Sequence, residues 1–242
     1  MYRLIIVPQP GSPRIRFRYT DSVHAAIVAG LAATGLQTTD LVGFTARPWT
    51  FATEGFATGG TKILRAIVVA TSDPVIADGL RRLEPAAVQV ASSNGDRLNL
   101  SGSHTSAMPD PVTPGQGILV VRPLSPFVIG NRRDARDRGR FIEVLDGVDL
   151  SAAISAGLTR RLGRPVHLAV RADCLSLAVR AGRAVPVRLR AAKGRDIYVP
   201  GFDVPVTLEG SDDDLRAAWY AGIGEKCRYG FGCVALPWTD RS

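Results

Sequence analysis

The residues best suited to chemistry lie near the end of this chain, where Ala221 to Val234 reads AGIGEKCRYGFGCV. Four glycines, Gly222, Gly224, Gly230 and Gly232, bracket a short polar segment that carries Lys226 and Arg228. Glycine lets backbone approach a phosphate closely and turn N–H groups toward it, and the two cations add charge at the same place. The segment follows a helical pattern rather than a strand, and it lacks the spacing of a Walker loop or a dinucleotide fingerprint. A plainer reading stands beside this one: Gly222 is a helix C-cap and the rest a tight turn.

Proton transfer near neutral pH points to histidine, of which the chain has three. His104 falls in a Ser/Pro/Gly-rich stretch and His167 in an apolar run, where structural or solvent roles are expected. His24 lies five residues after Tyr19 and shares a helical arc with Val23, Ile27, Val28 and Leu31. That arc fits a packed histidine as well as a reactive one. Cys174, Cys227 and Cys233 are odd in number and show no CxxC spacing, so neither a disulfide framework nor a zinc site is expected. No Ser-His-Asp or Cys-His signature is present, and no cofactor is called for.

Cations occur in several further groups. Arg14, Arg16 and Arg18 alternate with Ile15 and Phe17, which puts them on one side of an extended segment. Arg160, Arg161 and Arg164 gather at the end of a helical pattern, where the macrodipole favours positive charge. Residues 131–140, NRRDARDRGR, include Arg132, Arg133, Arg136 and Arg138; a solvated charged loop is the plain reading. The chain carries a net charge of +8 and a pI near 10, which favours a polyanionic partner. The excess of arginine over lysine has a competing source in GC-rich coding. No apolar run reaches the roughly 20 residues of a membrane span, so a soluble, cytoplasmic protein of a reducing compartment is expected.

The elements that must position these groups follow from periodicity. Tyr2–Val7 reads as a buried strand. A first helix starts at Thr20 or Asp21, both good N-caps, and the segments 38–52 and 62–70 read as extended. Asp73-Pro74 opens a second helix, and short strands follow at 88–90 and 98–100. Residues 101–117 read as a loop or linker, after which 118–121 begins a new strand. Asp149 caps a helix striped by Leu150, Ile154, Leu158 and Leu162. Strand-like runs at 166–170, 175–179, 185–189 and 204–208 precede the last helix, the glycine loop and a closing strand. Each half thus reads strand, helix, strand, strand, helix, strand, the second with an added strand or hairpin. The fold expected is α+β, two ferredoxin-like (RRM-like) domains in tandem over 1–105 and 118–242, joined by a linker at 106–117.

The glycine segment and this element order together resemble the CRISPR repeat-processing endoribonucleases of the repeat-associated RNA-binding (RAMP) superfamily, the family numbered six. Their signature is roughly G-hydrophobic-G, a few residues with Lys or Arg, then G-aromatic-G, which GIGEKCRYGFG satisfies. The Ser-Pro turn at 124–127 is similar to one common in that family, and the resemblance covers nearly the whole chain. It implies a metal-independent endoribonuclease that cuts precursor RNA at the repeat stem-loop and keeps the crRNA within an effector complex. His24 and Tyr19 are then the candidate proton-transfer groups. Arg14, Arg16, Arg18, Arg132, Arg133, Arg136, Arg138, Arg160, Arg161, Lys226, Arg228 and the four glycines are the candidate RNA contacts. The arginine-dense 131–140 segment resembles the type IV branch in particular. A non-catalytic crRNA-binding subunit of the same superfamily is the alternative.

Overall fold

A computed structural model describes residues 1–11, 13–43, 46–91, 95–131 and 141–237. The first half runs β1 (Tyr2–Pro8), β2 (Arg16–Phe17), α1 (Thr20–Ala33), α2 (Thr38–Leu41), β3 (Trp49–Thr58), β4 (Thr61–Thr71), α3 (Pro74–Arg81), β5 (Gln89–Ala91), β6 (Arg97–Asn99) and β7 (Ser103–Ala107). The second runs β8 (Ile118–Pro123), α4 (Leu150–Leu162), β9 (Leu168–Ala172), α5 (Cys174–Arg180), β10 (Val185–Ala192), β11 (Arg195–Gly201), β12 (Val206–Gly210), α6 (Asp212–Ala221) and β13 (Val234–Ala235). The α+β class expected from the sequence is what the chain adopts.

In the first half the antiparallel order is β7-β1-β4-β3, with β2 on the β1 side of β4 near the start of that strand. In the second it is β13-β8-β12-β9. Each sheet buries one face under helices. Leu4, Ile6, Ile67 and Val69 meet Val23, Ile27 and Leu31 of α1, and Leu119, Val121 and Leu208 meet Ile154, Leu158, Leu215 and Trp219. Alternation along β1 and β4 sends Ile5, Ala66 and Val68 to the opposite face, which is covered by Cys233 and Leu124 of the second half. That double burial is why β4 reads as a nearly continuous apolar run.

Arg3 lies on this shared face and is fully buried. Its guanidinium stacks 4.0 Å over the Trp219 ring and donates to the carbonyls of Trp219 and Val234. One side chain of β1 therefore holds both α6 and β13. Replacing it by methionine leaves those carbonyls without their donor. We expect Arg3→Met to lower unfolding free energy by about 3 kcal/mol in a urea titration; a loss below about 1 kcal/mol contradicts this role.

Several local expectations are corrected. Residues 38–41 form a helical turn instead of the start of a strand, and β3 begins only at Trp49. Residues 175–179 are helical, because the Asp173 carboxylate accepts the Ser176 N–H at 2.7 Å and opens α5. The strands near 89 and 98 pair with each other, and β7, inside the stretch read as a loop, completes the first sheet and carries His104. Neither Thr20 nor Asp21 caps α1. The buried Asp96 carboxylate does so from a distance of 78 residues, accepting from the Arg18 and Tyr19 N–H groups and the Ser22 hydroxyl. The Asp73 and Asp149 caps form as the sequence predicts. No helix among the described residues is long and apolar enough to cross a membrane.

Candidate RNA-binding site

The glycine loop begins where α6 ends: Gly222 closes the helix, its N–H bonded to the Ala218 carbonyl. The loop then folds back on itself. Ile223 N–H donates to the Gly232 carbonyl at 2.9 Å, Gly232 N–H to Pro126 at 3.0 Å, and Glu225 N–H to Val128 at 2.8 Å. Tyr229 and Gly230 N–H groups close a single turn over Cys227–Tyr229. With that of Gly222, six N–H groups are thus spent inside the fold, and the charged side chains of the loop remain to hold an anion. Glycine is demanded sharply at two positions. A Cβ on Gly230 (φ +83°) would sit 2.4 Å from Thr20 Cγ2 of α1, and one on Gly232 would sit 1.9 Å from the Ile223 carbonyl oxygen.

This geometry sets the polar segment against a cleft of about 700 Å³, lined by Arg47 and Pro48 ahead of β3, Arg160 and Arg161 at the end of α4, and residues 225–229. The cations divide into two groups. Arg47 is paired with Asp40 at 3.0 Å and Asp73 at 3.1 Å, and Arg160 with Glu225 at 3.1 Å. Arg161 donates to the carbonyls of Gly222 and Gly224, so it clamps the loop from α4. The second group lacks counter-charge among the described residues. The Lys226 ammonium lies over the rings of Phe141 (5.3 Å) and Tyr229 (5.7 Å), with no ion-pair partner among the described residues. Arg228 Nη1, and the Nε of the loop-clamping Arg161, are buried without a hydrogen-bond partner among the described residues, and burial pulls the Arg228 pKa down. Unpaired buried guanidinium N–H groups carry a desolvation cost that an anion in the cleft would offset.

His24 projects from α1 to the base of this loop. It is 8% exposed and stacks on Trp49 (5.5 Å between centroids) and Tyr229 (4.9 Å). Burial lowers its pKa to about 4, opposed by Asp21 with its carboxylate 4.0 Å from Nδ1 and reinforced by the charge of Arg228. The imidazole is therefore neutral at physiological pH. The aromatic partner that the loop brings to His24 is Tyr229. Tyr19 instead donates its hydroxyl to Asp196 at 2.9 Å, and that bond raises its pKa.

Arg14, Arg16 and Arg18 are exposed. The first two line a groove with Arg97 and Asn99, and Arg18 lines a different one. Arg132, Arg133, Arg136 and Arg138 lie outside the described residues. Sequence reading missed Arg47 and Arg3, which carry no local signal. Tyr229 is visible in the loop, but nothing in the sequence pairs it with His24. Among the described residues no group of three or more His, Cys, Asp or Glu could hold a metal ion.

A family model for the CRISPR associated protein Cas6, C-terminal, matches residues 109–236. No curated protein matches the chain. Among solved structures, a RAMP protein binding different RNA substrates superposes with a TM-score of 0.67 at 18% identity, covering 98% of this chain and 100% of its own. A Cas6-related protein from Pyrococcus furiosus gives 0.66 at 18% identity, over 98% and 99% of the two chains. A Cas6 product complex gives 0.59 at 20% identity, again over 98% and 99%. At these identities the likeness is one of fold. The family match spans more than half of the residues, and the glycine loop lies inside it: the chain belongs to the Cas6 family of CRISPR associated proteins.

Proposed function

We propose that the protein is an endoribonuclease that cuts CRISPR precursor RNA at the repeat stem-loop and retains the crRNA in an effector complex. The observation that carries this reading is the cleft beside the glycine loop, where Lys226 and Arg228 lack counter-charge among the described residues and His24 stands neutral behind Tyr229. An A-form stem presents phosphates and 2′-hydroxyls rather than a readable major groove, so cations at the right spacing are the means of recognition. In the reaction, the His24 imidazole takes the proton of the ribose 2′-hydroxyl, whose oxygen attacks the adjacent phosphorus. The bond to the 5′-oxygen breaks, that oxygen takes up a proton, and a 2′,3′-cyclic phosphate remains. Lys226 and Arg228 neutralise charge on the phosphorane. Tyr229 moves aside to admit the ribose, since it covers the imidazole in the RNA-free state. Arg160 exchanges its Glu225 partner for phosphate, Arg161 and the four glycines hold the loop, and Tyr19 fixes the entry to α1.

In this reading the halves are ferredoxin-like domains divided near 106–117, each sheet following a 4-1-3-2 order. Arg14, Arg16 and Arg18 extend the basic surface along the first half. Placement in the type IV branch rests on the arginine-dense sequence at 131–140. The second reading, a non-catalytic crRNA-binding subunit, draws on one observation: His24 is buried, stacked and weakly basic. Incubation with the repeat RNA of the adjacent array in EDTA tests the enzyme. Cutting at the stem base with a cyclic phosphate end is expected, and intact RNA under conditions of full binding contradicts it.

A further inference from the structure

The glycine loop has a second pocket on its other side. Arg228 and Tyr229 line the cleft described above, whereas Gly230 lines a separate cavity of about 340 Å³ between two hairpins. One wall is the β3–β4 hairpin with Thr53, Thr61 and Lys62; the other is the β10–β11 hairpin with Val187, Arg188 and Tyr198. The β10–β11 hairpin is an insertion between β9 and β12, and three hydrogen bonds fasten it to the first half. Tyr19 donates to Asp196 at 2.9 Å, the Thr20 hydroxyl to the Arg188 carbonyl at 3.2 Å, and Arg188 Nη1 to the Gly60 carbonyl at 3.2 Å. The pinned hairpin thus supplies one wall of the pocket.

Its lining has the chemistry of a nucleotide site. Arg188 is paired with Asp196 at 3.2 Å, but the side chains of Arg18 and Lys62 have no ion-pair partner among the described residues. The surrounding walls partly desolvate the Lys62 ammonium and pull its pKa down, although the side chain still reaches solvent. Tyr198 is 47% exposed, with the Arg188 guanidinium 5.7 Å from its ring centre. Apolar walls from Phe51, Pro126 and Val187 complete the enclosure. The volume falls at the low end of ligand pockets, roughly 300–1,000 Å³, which is too small for a duplex and suits one residue of an unpaired strand. Aromatic surface beside cations is how unpaired strands are held without sequence readout.

We propose that this pocket takes one unpaired nucleotide next to the stem, its phosphate on Lys62 and Arg18 and its base against Tyr198. The inference rests on the RNA-binding reading and adds a division of labour: paired RNA on the Lys226–Arg228 side of the loop, unpaired RNA on the Gly230 side. The test is fluorescence anisotropy with two labelled probes, octa-adenylate RNA and a blunt RNA duplex of about twelve pairs. Wild type, Lys62→Ala, Tyr198→Ala and Tyr198→Phe are compared. Both positions are exposed, so the variants keep the fold. Lys62→Ala and Tyr198→Ala should each weaken octa-adenylate binding about tenfold and leave duplex binding within about twofold, while Tyr198→Phe, which keeps the ring, binds octa-adenylate as wild type does. Unchanged octa-adenylate affinity in both alanine variants, or an equal loss on both probes, overturns the pocket assignment while RNA binding stands. A wild type that binds neither probe overturns both.

Discussion

His24→Phe should abolish most RNA cleavage while leaving RNA affinity within about twofold of wild type. Phenylalanine keeps a flat ring between Trp49 and Tyr229 and removes both nitrogens, so packing is preserved and proton transfer is not. A positioned acid or base contributes about 10²- to 10⁴-fold, and a fall of at least about 100-fold in single-turnover rate is expected. The same variant reports on stability. The folded imidazole has its pKa lowered to about 4, while the unfolded one titrates near 6.5, so between these values the unfolded state binds the extra proton. Stability from this group is complete above about pH 6.5 and is lost as pH falls toward 4, by roughly 3 kcal/mol in total. Urea titrations across that window should show a shallower acid loss in His24→Phe than in wild type. Full cleavage by the variant removes His24 from the chemistry and favours a packing role.

Gly230→Ala should cost about 3 kcal/mol of stability and loosen the site at the same time. Its φ of +83° is a left-handed conformation that alanine tolerates poorly, and its Cβ would lie 2.4 Å from Thr20 Cγ2 and 2.8 Å from Phe51 Cζ. The loop can relieve that contact only by backing away from α1, which carries Tyr229 off His24. Gly59 is the control. It has φ +53° in the turn between β3 and β4 with nothing within 4 Å of a built Cβ, so Gly59→Ala should cost only about 1 kcal/mol. Equal costs at the two positions would mean that the loop does not press on α1 as described.

What the sequence revealed was mostly local. Asp73 and Asp149 cap their helices through residues two or three positions away, and the four glycines advertise a folded-back loop within a dozen residues. The errors came where the deciding contact is distant or where two periods compete. Leu175, Leu177 and Val179 alternate like a strand, yet one bond from Asp173 sets a helix that leaves Leu175 and Val179 in solvent. Asp96 and Arg3 look like ordinary polar residues until the chain brings α1 to the first and Trp219 to the second. In the site, His24 and the loop were both legible, but their meeting through Tyr229 was not, because only the packing of the two halves creates it.

The most direct measurement is the salt dependence of repeat-hairpin binding by wild type and by the Lys226→Gln, Arg228→Gln double variant. Each phosphate neutralised contributes close to one to the slope of log K against log[salt]. If the cleft beside the glycine loop holds the RNA backbone, the double variant should bind more weakly at every salt concentration with a slope reduced by about two. An unchanged slope would show that the RNA lies elsewhere on the protein.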